Sequence, residues 1–174
     1  MRKLFSILVF VILVMHSCTK EVAIPTSGTA TINNILTYNS TQQAYFAYGF
    51  LFSKAELVST IGNSPDITVD SDGTNLFLQT NNLKNSFHKY GEYSDEASAI
   101  QAFNDIDEVN VTQWLEWASS LKPHQVWIYR SGSEHYAKIR IISTVSEVGD
   151  SRDYAECTFE WVYQPDGSLT FPAE

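Results

Sequence analysis

The side chains of this sequence best suited to chemistry are its histidines, its closely spaced carboxylates and its two cysteines. His88, His124 and His135 could ligate a transition metal. His124 and His135 flank the strand-like run Gln125–Arg130, so at about 3.3 Å per residue they stand roughly 20 Å apart, too far to share one iron. A two-histidine site would therefore have to recruit His88. Glu156 and Glu160 share a strand face, but four residues put them about 13 Å apart, beyond the roughly 5–9.5 Å of glycosidase carboxylate pairs. Asp70-Ser71-Asp72-Gly73-Thr74-Asn75 has the oxygens of a calcium loop, yet its glycine is fourth where an EF-hand needs it sixth, so a plain turn is the simpler reading. Asp105, Asp107 and Glu108 have helix-end spacing and read as solvated. No Gly-x-Ser-x-Gly, His-Glu-x-x-His or phosphate loop occurs. These residues point to binding rather than catalysis; a hydrolase with a dispersed triad is the third-ranked reading.

Cys18 belongs to a different chemistry. Arg2 and Lys3 precede a 12-residue apolar run, Leu4 to Met15, broken only by Ser6. A membrane-spanning helix needs about 20 apolar residues, so a cleaved signal fits better. Val14-Met15-His16-Ser17-Cys18 resembles a lipobox, in which the thiol is lipidated and the chain is cut before it; Ser17 fits the pattern and His16 departs from it. Acyl chains at Cys18 would hold the protein to a lipid bilayer, at about 0.8 kcal/mol per buried methylene. Thr19 is not an inner-membrane retention aspartate, which favours the outer membrane, with the domain on the periplasmic or cell-surface face. The expected organisation is a signal peptide at 1–17, the lipidated Cys18 and tether over 18–28, and one domain over 29–174. Acylation leaves Cys157 without a disulfide partner, and its strand position makes it a buried, inert thiol.

The 157 residues after the signal suit one domain. They carry 9 basic and 20 acidic residues, and so negative a surface makes nucleic acid an unfavourable partner. Between Tyr90 and Leu121 there are seven acids and no Lys or Arg, the pattern of a solvated acidic helical face. The elements that must position the candidate residues are mainly β. Strands are expected over Thr29–Tyr38 and Ala44–Phe52, the second with Phe46, Tyr48, Phe50 and Phe52 on a core face. Ser53-Lys54-Ala55-Glu56 reads as a capping box for a short helix to Ile61. Asp66–Asp70 and Asn75–Thr80 read as a hairpin. Two further helices are expected: one capped by Ser94 with Ala99, Ala102, Phe103 and Ile106 inward, one capped at Asn110 with Trp114, Trp117, Ala118 and Leu121 inward. Gln125–Arg130, Tyr136–Ser143, Tyr154–Tyr163 and Ser168–Phe171 complete an antiparallel meander. The fold class is thus mainly β (α+β), an antiparallel sheet with two short helices packed against it.

Val126-Trp127-Ile128-Tyr129-Arg130, Tyr136-Ala137-Lys138-Ile139-Arg140-Ile141 and Thr158 to Ser168 resemble the C-terminal region of the HmuY-like lipoproteins of Bacteroidetes, over about 45 residues. Asp66-Ile67 and Gln79-Thr80-Asn81 echo another strand pair of that family. The resemblance implies a non-enzymatic, mostly β lipoprotein at the outer membrane, whose best-known relative captures haem for a transporter, here a TonB-dependent one. It makes haem the cofactor to consider, with His88, His124 and His135 as candidate ligands, although none aligns with the family's histidine pair. Lys138 and Arg140 could meet haem propionates, or could be solvated strand positions. The rival reading is a structural, adhesive or glycan-binding envelope lipoprotein without haem, for which Trp114 or Trp127 would have to be exposed to stack on a sugar.

Overall fold

The structure, a computed structural model, describes residues 23–82 and 84–171. The expected lipidation site, Cys18, lies outside these residues. The strands are β1 (Ser27–Asn33), β2 (Leu36–Tyr38), β3 (Ala44–Phe46), β4 (Tyr48–Leu51), β5 (Glu56–Ser59), β6 (Thr68–Ser71), β7 (Leu76–Gln79) and β8 (Phe87–Glu92). Helix α1 (Glu96–Asn104) follows, then β9 (Ala118–Ser119), β10 (Gln125–Arg130), β11 (Tyr136–Glu147) and β12 (Tyr154–Gln164). The class is mainly β and every strand pairing is antiparallel, as the alternating pattern required. A five-stranded sheet in the order β1-β12-β11-β10-β8 is the backbone of the domain. One face carries the period-two row Ala155, Cys157, Phe159, Trp161 and Tyr163, all buried together with Trp127, Tyr129, Ile139 and Ile141. The small sheets β4-β5 and β6-β7-β9 cover that face, inserting Phe50, Phe52, Ile67, Val69 and Leu78. α1 and the chain after it cover the other face, where Phe103, Ile106 and Phe171 meet Val126, Ile128 and Val162.

Of the two expected helices packed on the sheet, one forms. Its N-cap is Asp95 rather than Ser94: the Asp95 carboxylate accepts the Ser98 N–H at 2.9 Å, while the Ser94 hydroxyl donates to that carboxylate. The stretch expected as the second helix is extended. Leu115 exchanges backbone hydrogen bonds with Phe87, and β9 pairs with β7, so these residues complete the edges of two sheets. The helical spacing is thereby split. Ala118 and Leu121 enter the main core, Trp114 packs beside Tyr136, and Trp117 is left 47% exposed on Phe77. The capping box at Ser53 fails for a related reason. Only a 3-10 turn over Phe52–Lys54 forms, Ala55 is left-handed at φ 54°, and Glu56 onward pairs back onto β4.

Two long expected strands are broken. Asn34 ends β1, its side chain bridging Asp70, the Asp153 carbonyl and the Ala155 N–H. The second strand breaks at Ala47, whose N–H donates to the Ile35 carbonyl at 2.7 Å, and its aromatic face divides within β4, where Tyr48 is exposed and Phe50 is core. The turn Asp72–Asn75 is the plain turn expected: the Asp72 carboxylate accepts the Thr74 and Asn75 N–H groups, and Gly73 takes φ 85°. Residues 168–171 make a single bridge, Thr170 to Glu108, rather than a strand. Lys138 and Arg140 are not solvated. Both are buried, because α1 and the 105–109 segment lie over their face. Lys138 Nζ donates to the carbonyls of Phe103 and Ile106 at 2.9 and 3.3 Å, capping the end of α1 from below. Arg140 Nε pairs with Glu160 at 2.7 Å.

Candidate functional site

The three histidines are not brought together. His88, on β8, registers with Ile128 and lies on the α1 face, its Nδ1 3.2 Å from the Gln113 carbonyl oxygen and its ring beside Trp114. His135, just before β11, hydrogen-bonds through Nδ1 to the Tyr163 hydroxyl at 3.1 Å, on the opposite face of the sheet. His124 precedes β10 in a left-handed conformation, φ 69°, and its carbonyl accepts the Tyr93 N–H near the start of α1. A six-coordinate haem iron needs two axial ligands on one axis, and two histidines separated by a packed sheet cannot supply them. Among the described residues, no cluster of three or more His, Cys, Asp or Glu side chains could hold a metal ion. The residues present do not fit haem. Nor are Lys138 and Arg140 placed for propionates, since both are engaged beneath α1 and against β12.

A different group is assembled at the turn end of the sheet. Asp66 stands just before β6, where Pro65 leads into a buried run of Ile67, Thr68 and Val69. One of its carboxylate oxygens accepts the Phe52 N–H at 2.9 Å and the other accepts the Tyr129 hydroxyl at 3.1 Å. Burial raises its pKa above the usual aspartate value, and the two hydrogen bonds only partly offset that. Burial first, then the Asp66 charge, pushes the hydroxyls of Tyr129 and Tyr163 up as well. Phe52 stacks on Tyr163 with rings 6.2 Å apart and 12° from parallel, and His135 meets the same ring edge-on.

Asp66 lies on the floor of two adjoining crevices, of about 340 and 440 Å³, that share Ser131 and Ser133 of the β10–β11 turn as a wall. The first is closed by Ser64, Thr80, Asn81 and Asn82, the second by His135, Tyr163 and Pro165. Both volumes fall in the range of about 300–1,000 Å³ common to small-molecule sites. A third crevice of about 370 Å³ adjoins the first at Asn81 and presents Tyr45, Phe46 and Arg152, the guanidinium lying 5.2 Å from the Phe46 ring centre and paired with Asp70. The two crevices that meet at Asp66, Ser131 and Ser133 form one trough.

Serine, histidine and aspartate thus line one trough, but the hydrogen bonds do not wire them as a hydrolytic relay. His135 Nδ1 is committed to Tyr163, and the Asp66 oxygens to Phe52 and Tyr129. The distant acid pair is likewise occupied: Glu156 accepts the Tyr154 hydroxyl at 2.6 Å and Glu160 takes Arg140. Of the two tryptophans a sugar-stacking role required, Trp127 is core, and Trp114 has Arg130 4.4 Å from its ring centre and Tyr136 stacked at 6.1 Å. The trough was missed by reading the sequence, although it left a trace. Asp66 is a lone carboxylate entering an apolar strand, and Tyr129 has the same parity as Trp127 in a core strand, so each needed a buried polar partner. Among the described residues no helix is long and apolar enough to cross a membrane. No protein-family model matches this chain, and no curated protein matches it.

Proposed function

We propose that this chain is a lipid-anchored envelope protein, tethered through Cys18 to the outer membrane, whose domain is a non-enzymatic ligand-binding module of HmuY-like kind. The observation that carries the reading is that the trough and the tether meet at one end of the sheet. The Tyr163 N–H donates to the Thr26 carbonyl at 2.6 Å, while the Tyr163 side chain lines the trough. Residues 19–27 extend at most about 30 Å, so acylation at Cys18 would hold the trough within that distance of the bilayer, where a TonB-dependent transporter could receive its contents. The ligand this supports is not haem, because the histidines lie apart. The rival, a structural or adhesive protein, accounts for the bonds of Asp66 to Phe52 and Tyr129 but not for its half-buried place in the lining of an open trough. The test is fractionation of cells producing Cys18→Ser. The variant should leave the membrane fraction, since only acyl chains would anchor it; persistence in membranes after a high-salt wash would refute the anchor.

A further inference from the structure

We propose that the trough over Asp66 is a binding site for a small neutral saccharide, held by hydrogen bonds to its hydroxyl groups; this rests on the ligand-binding reading above. The argument begins with what the lining lacks. Among the described residues no lysine or arginine lines either crevice that contains Asp66, the guanidinium of Arg152 in the adjoining crevice is paired with Asp70, and the chain carries a net charge of −9, so an anion would find neither a free partner nor a favourable field. A metal ion would find one carboxylate and no cluster of ligands among the described residues. A flat apolar ligand would strand the hydroxyls and amides that make up most of the first crevice.

What the lining offers suits a ligand that both donates and accepts. Ser64 and Asn81 present side chains that can donate or accept, while Thr80 bonds Asn82 and Ser131 bonds Ser133, so the rim is ordered by its own hydrogen bonds and a ligand would use the capacity those bonds leave. Asp66 adds a fixed acceptor. Each of its oxygens has one bond from beneath, to Phe52 N–H or the Tyr129 hydroxyl, and an ionised carboxylate has further lone pairs to give. Neighbouring sugar hydroxyls can donate to those positions while accepting from the serines. The other side is less polar, bordered by Leu51, Pro165 and the edge of the buried Tyr163 ring, which Phe52 and His135 hold in place. The site is built before any ligand arrives, which lowers the ordering cost of binding.

The experiment titrates the purified full chain, nitrogen-15 labelled, with N-acetylglucosamine, mannose and lactose, using inorganic phosphate and putrescine as anionic and amine controls. Saturable shifts confined to the Ser131–His135 turn, Asp66 and Tyr163 are expected with at least one saccharide and with neither control. Ser133→Leu and Asn81→Leu sit on the exposed rim, so each should keep the parent fold and weaken binding by about tenfold or more. Asp66→Asn should do the same, and the rim variants keep the test valid if that variant fails to fold. Absence of saturable shifts with all three sugars, binding of putrescine in their place, or affinity indifferent to both rim substitutions would overturn the proposal. Cleavage of lactose during the titration would instead overturn the non-enzymatic reading, and a Cys18→Ser protein that stays in membranes yet binds sugar would overturn only the anchor.

Discussion

Replacing Lys138 by Met tests whether the amine buried under α1 stabilises the domain or merely tolerates its place. The four-carbon stem runs between the sheet and Phe103, and Nζ lies 4.8 Å from the Phe103 ring centre and 5.9 Å from that of Phe171. Met preserves most of that packing and removes the donor. The carbonyls of Phe103 and Ile106 then lose their hydrogen bonds at the C-terminal end of α1, in a site with no solvent exposure at Lys138. Stranding a buried acceptor costs about 1–3 kcal/mol, so the two together would cost roughly 2–6. Relief from burying a polar head group offsets part of this, leaving a net loss of about 2–4 kcal/mol. For a domain of this size each kcal/mol moves the melting midpoint by about 2–4 °C, so a loss of about 3 kcal/mol lowers it by roughly 6–12 °C. Differential scanning calorimetry of the parent and Lys138→Met reads this directly. A midpoint within about 2 °C of the parent, or above it, would show that the desolvation of the amine outweighs its bonds, and the reasoning would fail.

The remaining expectations concern Cys157 and haem. Cys157 is buried and burial pushes its thiol up to about 12, so it should resist a thiol reagent in the native protein and react at once in denaturant. Because the folded value is raised, the native state keeps its proton longer than the unfolded chain; the stability this confers is whole below about pH 9 and is lost as pH climbs toward 12. Tyr154, raised to about 12 chiefly by its bond to Glu156, slopes the same way, so urea midpoints of Cys157→Val against the parent isolate the thiol's share; identical alkaline slopes would refute it. Haemin added to the full chain should give no sharp, saturable Soret band, since His88 and His135 lie on opposite faces of the sheet. A one-to-one complex abolished by His88→Ala would overturn that expectation.

Local pattern and tertiary context divide this protein cleanly. Sequence alone determined the three long strands of the C-terminal meander, the inward row from Ala155 to Tyr163, the buried Cys157, the Asp72 turn and the first helix on the sheet. Each of these depends on side-chain alternation, helical spacing or turn chemistry within about ten residues, which is where such signals are complete. The tertiary structure decided the rest. Trp114, Trp117, Ala118 and Leu121 have helical spacing, yet the open edges of β7 and β8 offered their backbone better partners than a helix could. Lys138 and Arg140 could be read as propionate partners or as solvated positions, and α1 and the segment after it bury both. The trough belongs wholly to this second category. Asp66, Tyr129 and His135 come from separate parts of the chain, and only the fold that sets Asp66 beside Phe52 and Tyr129 gives the aspartate its burial and its partners. No spacing within the sequence encodes that meeting, because hydrogen bonds between residues 63 positions apart are set by the fold rather than by the local chain.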